Sequence, residues 1–123
     1  MDIPFMRVAE AYLTYAEANL RSSTGSSAVA LTTINALRAR SHAAPIVGLT
    51  LDKVLDEWAR EFYFEARRRI DLIRFGYFSG SAYNWDWKGG VAAGTSFDSH
   101  YDIMPLPPGD INANTNLKQN PKY

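Results

Sequence analysis

Apolar residues recur at three- and four-residue spacing through the first part of the chain. Phe5, Val8, Ala9, Tyr12, Ala16 and Leu20 form one stripe, the signature of an amphipathic α-helix. Pro4 suits a first helical turn, so a helix is expected over about residues 4–22. Alanines at 9, 11, 16 and 18 favour that helix and let a neighbour approach closely. SSTGSS (22–27) is a polar break in which Gly25 stops the helix and Ser26 or Ser27 caps the next. A second helix is expected over about 28–41, with Leu31, Ile34 and Leu37 on one side. HAAPIVG then connects, marked by Pro45 and Gly48.

Thr50 is the natural N-cap of a third helix, and Asp52 in its first turn suits the dipole. Leu51, Val54, Leu55, Trp58, Phe62, Ala66 and Ile73 make a stripe that predicts one long helix over about 51–75, ended by Gly76. Periodicity is then lost. Residues 76–123 read as irregular, first aromatic- and glycine-rich, then proline- and asparagine-rich. Half of all aromatic residues fall between Phe75 and Tyr101, which predicts a loop packed down by its rings. GDIN (109–112) can make one helical turn. The expectation is an all-α fold: a helix pair, a long third helix and an irregular C-terminal segment, all within a single unit over 1–123.

Composition narrows the function classes. At 123 residues the chain is at most one ordinary domain, and 46 % hydrophobic residues are too many for a disordered chain. The absence of cysteine excludes disulfides, thiolate catalysis and cysteine metal sites. No apolar run has transmembrane length. MDIPFMRVAE is not a signal peptide, so any export signal is expected outside this sequence. Thirteen basic residues balance thirteen acidic ones, which weighs against nucleic-acid binding.

FYFEARRRIDLIRFG (62–76) tests that point, because it interleaves arginines with aromatics. Successive helical residues turn by about 100°, so Arg67, Arg68 and Arg69 diverge and cannot form one patch. Arg69 then falls on the apolar stripe with Glu65 four residues earlier as its partner. Arg67 projects to a solvated face. Glu65, Arg68, Arg69 and Asp71 are the candidates for a structural ion network, with the arginine forks also suited to main-chain carbonyls.

NWDWKGG (84–90) is the candidate ligand contact. Tyr83, Trp85 and Trp87 are planar amphipathic groups of the kind that stack on sugar rings, and Asn84 and Asp86 can bond hydroxyls. The competing reading is that these rings pin the loop to the protein. DSHYD (98–102) can bring Asp98, His100 and Asp102 to one side of an extended segment. With two histidines in the chain and no second ligand cluster, no metal and no cofactor is assigned. No serine–base–orienter motif or marked carboxylate pair points to an enzyme.

Four stretches resemble one family. RVAEAYLTYAEA is similar to its R-x-A-E…Y-A-E-A pattern at Arg7, Ala9, Glu10, Tyr15, Ala16, Glu17 and Ala18. INALRAR is similar to I-N-x-I-R-x-R at Ile34, Asn35, Arg38 and Arg40. The third-helix region resembles E-L-x-F-E-G-x-R-x-x-D-L-x-R-W-G at Glu61, Phe64, Glu65, Arg68, Asp71, Leu72, Arg74 and Gly76. The tail resembles P-I-P-x-x-E-I-x-x-N-P-x-L-x-Q-N-P-G-Y. This is the C-terminal pattern of SusD/RagB-type proteins. Ala66 and Lys122 stand where that pattern has glycine, Phe75 where it has tryptophan and Thr115 where it has proline, which puts local turn geometry in question.

The resemblance implies a nutrient-binding lipoprotein on the outer membrane of Bacteroidetes-type bacteria, placed over a SusC-type TonB-dependent channel. It implies a glycan or other nutrient ligand, capture without catalysis, and tetratricopeptide-like helix pairing. It also implies that the main glycan site lies in parts of the family's chain that precede this region. Members are several times longer, so the sequence is expected to be a C-terminal part. Standing alone, such a piece is expected to expose apolar surface or self-associate. A structural or protein-interaction module without its own ligand site remains the alternative.

Overall fold

The computed structural model describes residues 6–22 and 24–123. Pro4 and Phe5, assigned above to the start of the first helix, lie outside them. The chain divides into two compact units, at the boundary between Arg68 and Arg69.

In the first unit, α1 (Val8–Ser22) packs on both α2 (Ser27–Arg40) and α3 (Leu51–Glu61). The core comprises Ala9, Leu13 and Ala16 of α1, Ala30, Ile34 and Leu37 of α2, and Val54 and Trp58 of α3, with Phe62 just beyond. Small residues at Ala9, Ala16 and Ala30 allow this close approach. The α1 stripe is displaced from the expected one. Val8 is 65 % exposed, while Leu13, Glu17 and Asn19 are buried. Ser26 caps α2 by accepting the Val29 N–H at 3.3 Å, and Thr50 caps α3 by accepting the Lys53 N–H at 3.2 Å.

Several buried polar groups are met in kind. The Trp58 indole N–H donates to Glu17 at 3.1 Å, and Arg21 donates to the same carboxylate at 2.8 Å. The Asn35 amide clasps Ile46 in both directions: its Nδ2 donates to the Ile46 carbonyl at 3.1 Å, and the Ile46 N–H donates to Oδ1 at 2.9 Å. Glu61 receives Arg40 at 2.6 and 2.7 Å and also receives Arg7, which reaches its main-chain carbonyl as well.

The long helix expected over 51–75 is corrected. α3 ends at Glu61, and α4 covers only Arg68–Arg74. Between them Phe64 (φ 62°) and Ala66 (φ 55°) occupy left-handed backbone, which no α-helix accommodates. Ala66 is one of the positions where the resembled pattern carries glycine. The break also resets helical phase, so arginine directions read from a continuous wheel do not hold.

In the second unit, α4 is followed by a left-handed Gly76 (φ 75°), and the Tyr77 N–H donates back to the Leu72 carbonyl at 2.7 Å. Short 3₁₀ turns lie at Lys88–Gly90 and Ser99–Asp102, and α5 spans Pro108–Ala113 around the expected GDIN turn. Among the described residues the isolated bridge between Gly80 and Phe97 is the only sheet-like pairing, and the fold is all-helical as expected. The tail is tied down by side chains. Gln119 exchanges two hydrogen bonds with the Leu106 main chain at 2.8 and 2.9 Å, and Asn120 donates to the Met104 carbonyl at 2.6 Å.

Candidate functional site

The residues proposed for an ion network take separate partners. Glu65 accepts from Arg7 at 2.7 Å. Arg68 donates to the Leu55 carbonyl at 3.2 Å, and Arg69 to the Tyr101 carbonyl at 2.5 Å, its guanidinium lying 4.9 Å from the Phe78 ring centre. Asp71 is buried and accepts from Arg74 at 2.8 Å. The turn at 62–67 removes the continuous helical spacing on which a Glu65–Arg69 pair was expected. Arg67 is not on a solvated face. It pairs with Glu10 and stacks 3.8 Å from the Trp58 ring centre.

The candidate ligand loop is a ring cluster in the second unit. Tyr83 lies between Tyr77 (5.7 Å) and Trp85 (5.9 Å). Trp85 meets Phe78 and Phe97, each at 6.4 Å, and is half-buried. Phe97 continues to Tyr101 at 5.9 Å. Trp85 therefore mainly holds the loop. Trp87 differs: it is 70 % exposed, with left-handed backbone at φ 67°. Its N–H donates to the Ala92 carbonyl at 3.2 Å, and its carbonyl accepts the Gly90 N–H at 3.0 Å. A side chain at Gly94 (φ 73°) would run into the Trp85 carbonyl oxygen, so the loop closes only with glycine there. Trp87 and Tyr83 thus offer exposed ring surface, beside exposed Asn84 and Asp86. That combination of planar apolar faces and hydroxyl-bonding groups suits a neutral polyhydroxylated ligand.

Lys88 was given no role by sequence reasoning, and nothing in a single lysine between tryptophan and glycines signals one. It is 1 % exposed. Its ammonium donates to the Tyr83 carbonyl at 2.8 Å and the Gly80 carbonyl at 3.3 Å, and lies 4.7 Å from the Trp85 ring centre and 5.3 Å from that of Phe97.

Asp98, His100 and Asp102 do not gather around one point. Asp98 accepts the His100 N–H at 3.0 Å, the Lys122 ammonium at 2.6 Å and the His100 ring at 2.9 Å. These bonds, the main-chain one foremost, hold its carboxyl well below the usual carboxylate range. Asp102 instead accepts from Ser79 at 2.8 Å. In the first unit, a mostly apolar hollow of about 510 Å³ is lined by Ala59, Phe62, Tyr63, Phe64, Arg67 and Arg68 among others. Tyr63 and Phe64 at its rim are exposed, Phe64 at 91 %. No helix among the described residues is long and apolar enough to cross a membrane.

Known proteins resemble this chain in sequence and in fold. The starch-binding protein SusD of Bacteroides thetaiotaomicron is 50 % identical over 99 % of this chain, which spans 22 % of that relative. A surface glycan-binding protein A from Bacteroides uniformis superposes with a TM-score of 0.76 at 28 % identity, over 94 % of this chain and 27 % of its own. A SusD-like protein from Bacteroides fragilis shares the fold with a TM-score of 0.69 at 23 % identity, over 96 % of this chain and 25 % of its own. The chain thus spans about a quarter of the relatives it matches. The SusD family model matches residues 1–123 throughout, and the chain belongs to the SusD family.

Proposed function

We propose that this chain is part of a glycan-capturing protein that holds its ligand for a SusC-type TonB-dependent transporter at the outer membrane. The observation that carries this reading is the 50 % identity to a starch-binding protein over 99 % of the chain. Capture and hand-over require exposed rings and hydrogen-bonding groups, and they require no bond breaking. Within this segment, Trp87 and Tyr83 are the ligand contacts, and Trp85 supports them. Lipid anchoring and cell-surface placement belong to the same proposal.

Calorimetric titration with maltoheptaose tests it. The expected result is saturable heat with the wild-type chain and its loss in Trp87→Ala. Absence of binding to maltoheptaose and soluble starch would remove the ligand site from this segment. The second reading, an interaction module, is favoured by exposed Tyr63 and Phe64 beside an apolar hollow. It would show as concentration-dependent self-association that Phe64→Ser abolishes.

A further inference from the structure

Lys88 presents an unusual arrangement. An ammonium group is compact and strongly hydrated, and removing it from water is costly unless oxygen partners replace the lost shell. Buried lysines are therefore normally paired with a carboxylate. Lys88 is buried, yet its partners among the described residues are two carbonyls and two aromatic faces, with no carboxylate. Asp86, two residues away, is exposed.

The partners are placed around the loop in a telling way. The Tyr83 and Gly80 carbonyls lie on the segment entering the ring cluster. Trp85 lies between them and Lys88 in sequence, and its face covers the ammonium. The Lys88 carbonyl accepts the Thr95 N–H at 3.0 Å, and Phe97 beyond it contributes the second face. One side chain therefore joins the entering and leaving arms of the loop. Its own main chain follows directly on Trp87, so the anchoring of Lys88 fixes where the exposed Trp87 ring begins. A left-handed tryptophan is disfavoured on its own, so it persists only where neighbours over-determine the backbone.

We propose that Lys88 is the positioning residue of this ligand loop: its ammonium, seated between the Tyr83 carbonyl and the Trp85 and Phe97 faces, presents Tyr83 and Trp87 to a glycan. This rests on the ligand reading above, and its role is distinct from contact, because Lys88 is itself buried. Cation–π attraction in a desolvated setting is strong enough to set ring orientation.

Two measurements test it. The first needs no substitution. Reductive methylation of the wild-type chain, followed residue by residue, should leave Lys88 at least tenfold less reactive than exposed Lys53, Lys118 and Lys122. The second uses Lys88→Met, which keeps length and removes charge. Far-UV circular dichroism should retain the helices, while the near-UV tryptophan bands weaken and maltoheptaose affinity falls at least tenfold. Trp87→Ala serves as control, losing affinity with the Tyr83–Trp85 bands kept. Methylation of Lys88 at the rate of Lys118, or wild-type near-UV bands and affinity in Lys88→Met, would overturn the proposal. If the wild type itself binds no glycan while Lys88→Met loses the near-UV bands, the ligand reading fails and Lys88 keeps only its ordering role.

Discussion

Lys122 closes on Asp98 with its ammonium 2.6 and 2.9 Å from the two carboxylate oxygens. It does so from a left-handed backbone at φ 69°, at a position where the family pattern carries glycine. Next to it, the Tyr123 hydroxyl donates to the Ile103 carbonyl at 2.8 Å. The end of the chain is thus fastened to residues 98–103 by side chains.

This clasp is sensitive to acid. The folded-state pKa of Asp98 is depressed, first by the His100 N–H and then by Lys122 and the His100 ring. A depressed carboxylate contributes stability above its unfolded value, about 4, and loses it as pH falls through the folded value. The stability difference between wild type and Asp98→Asn should therefore be constant near neutrality and shrink below about pH 4. Urea titrations of both proteins at several pH values measure it. An unchanged difference down to pH 2 would contradict the assigned partners.

Ala66→Gly should stabilise the first unit. Ala66 stands at φ 55°, where an L side chain costs about 1–2 kcal/mol. Glycine removes that strain but adds unfolded-state entropy, leaving a gain of about 0.5–1 kcal/mol. Chemical denaturation should show a higher midpoint with an unchanged slope.

Leu13→Ala and Val8→Ala separate the observed face of α1 from the expected one. Leu13 is fully buried and Val8 largely exposed. The first change should cost about 2–5 kcal/mol and the second less than about 0.5 kcal/mol. Thermal unfolding of both variants is sufficient.

Arg67→Ala should lower the melting temperature at least as much as Arg69→Ala, reversing the order expected from a continuous helix. Arg67 pairs with Glu10 and covers the Trp58 ring, an interaction of about 1–2 kcal/mol when partly desolvated. Glu10→Gln should reproduce part of the same loss.

Helix existence was legible because it depends on local pattern: the Ser26 and Thr50 caps, the three stripes and the Gly76 stop all carry short-range signals. The break at 62–67 was not, since an apolar stripe runs through it and left-handed backbone at Phe64 and Ala66 has no glycine to announce it. The one visible hint was that the family pattern places glycine at 66. Trp85 and Trp87 were singled out by composition, but their different exposure depends on Phe78 and Phe97, which pack against Trp85. Lys88 was invisible because its partners are carbonyls, which every residue possesses. Asn35–Ile46 and Gln119–Leu106 escaped for a similar reason, as each joins a side chain to a main chain more than ten positions away.

Those two amide clasps have a consequence for how the chain behaves in a crowd. An extended stretch with free N–H and C=O groups is a template on which a second polypeptide can zip. At Ile46 and Leu106 both groups are already taken by a carboxamide acting as a one-residue counterfeit strand. Each connector is thereby closed to strand addition at that one residue, by a single asparagine in one case and a single glutamine in the other.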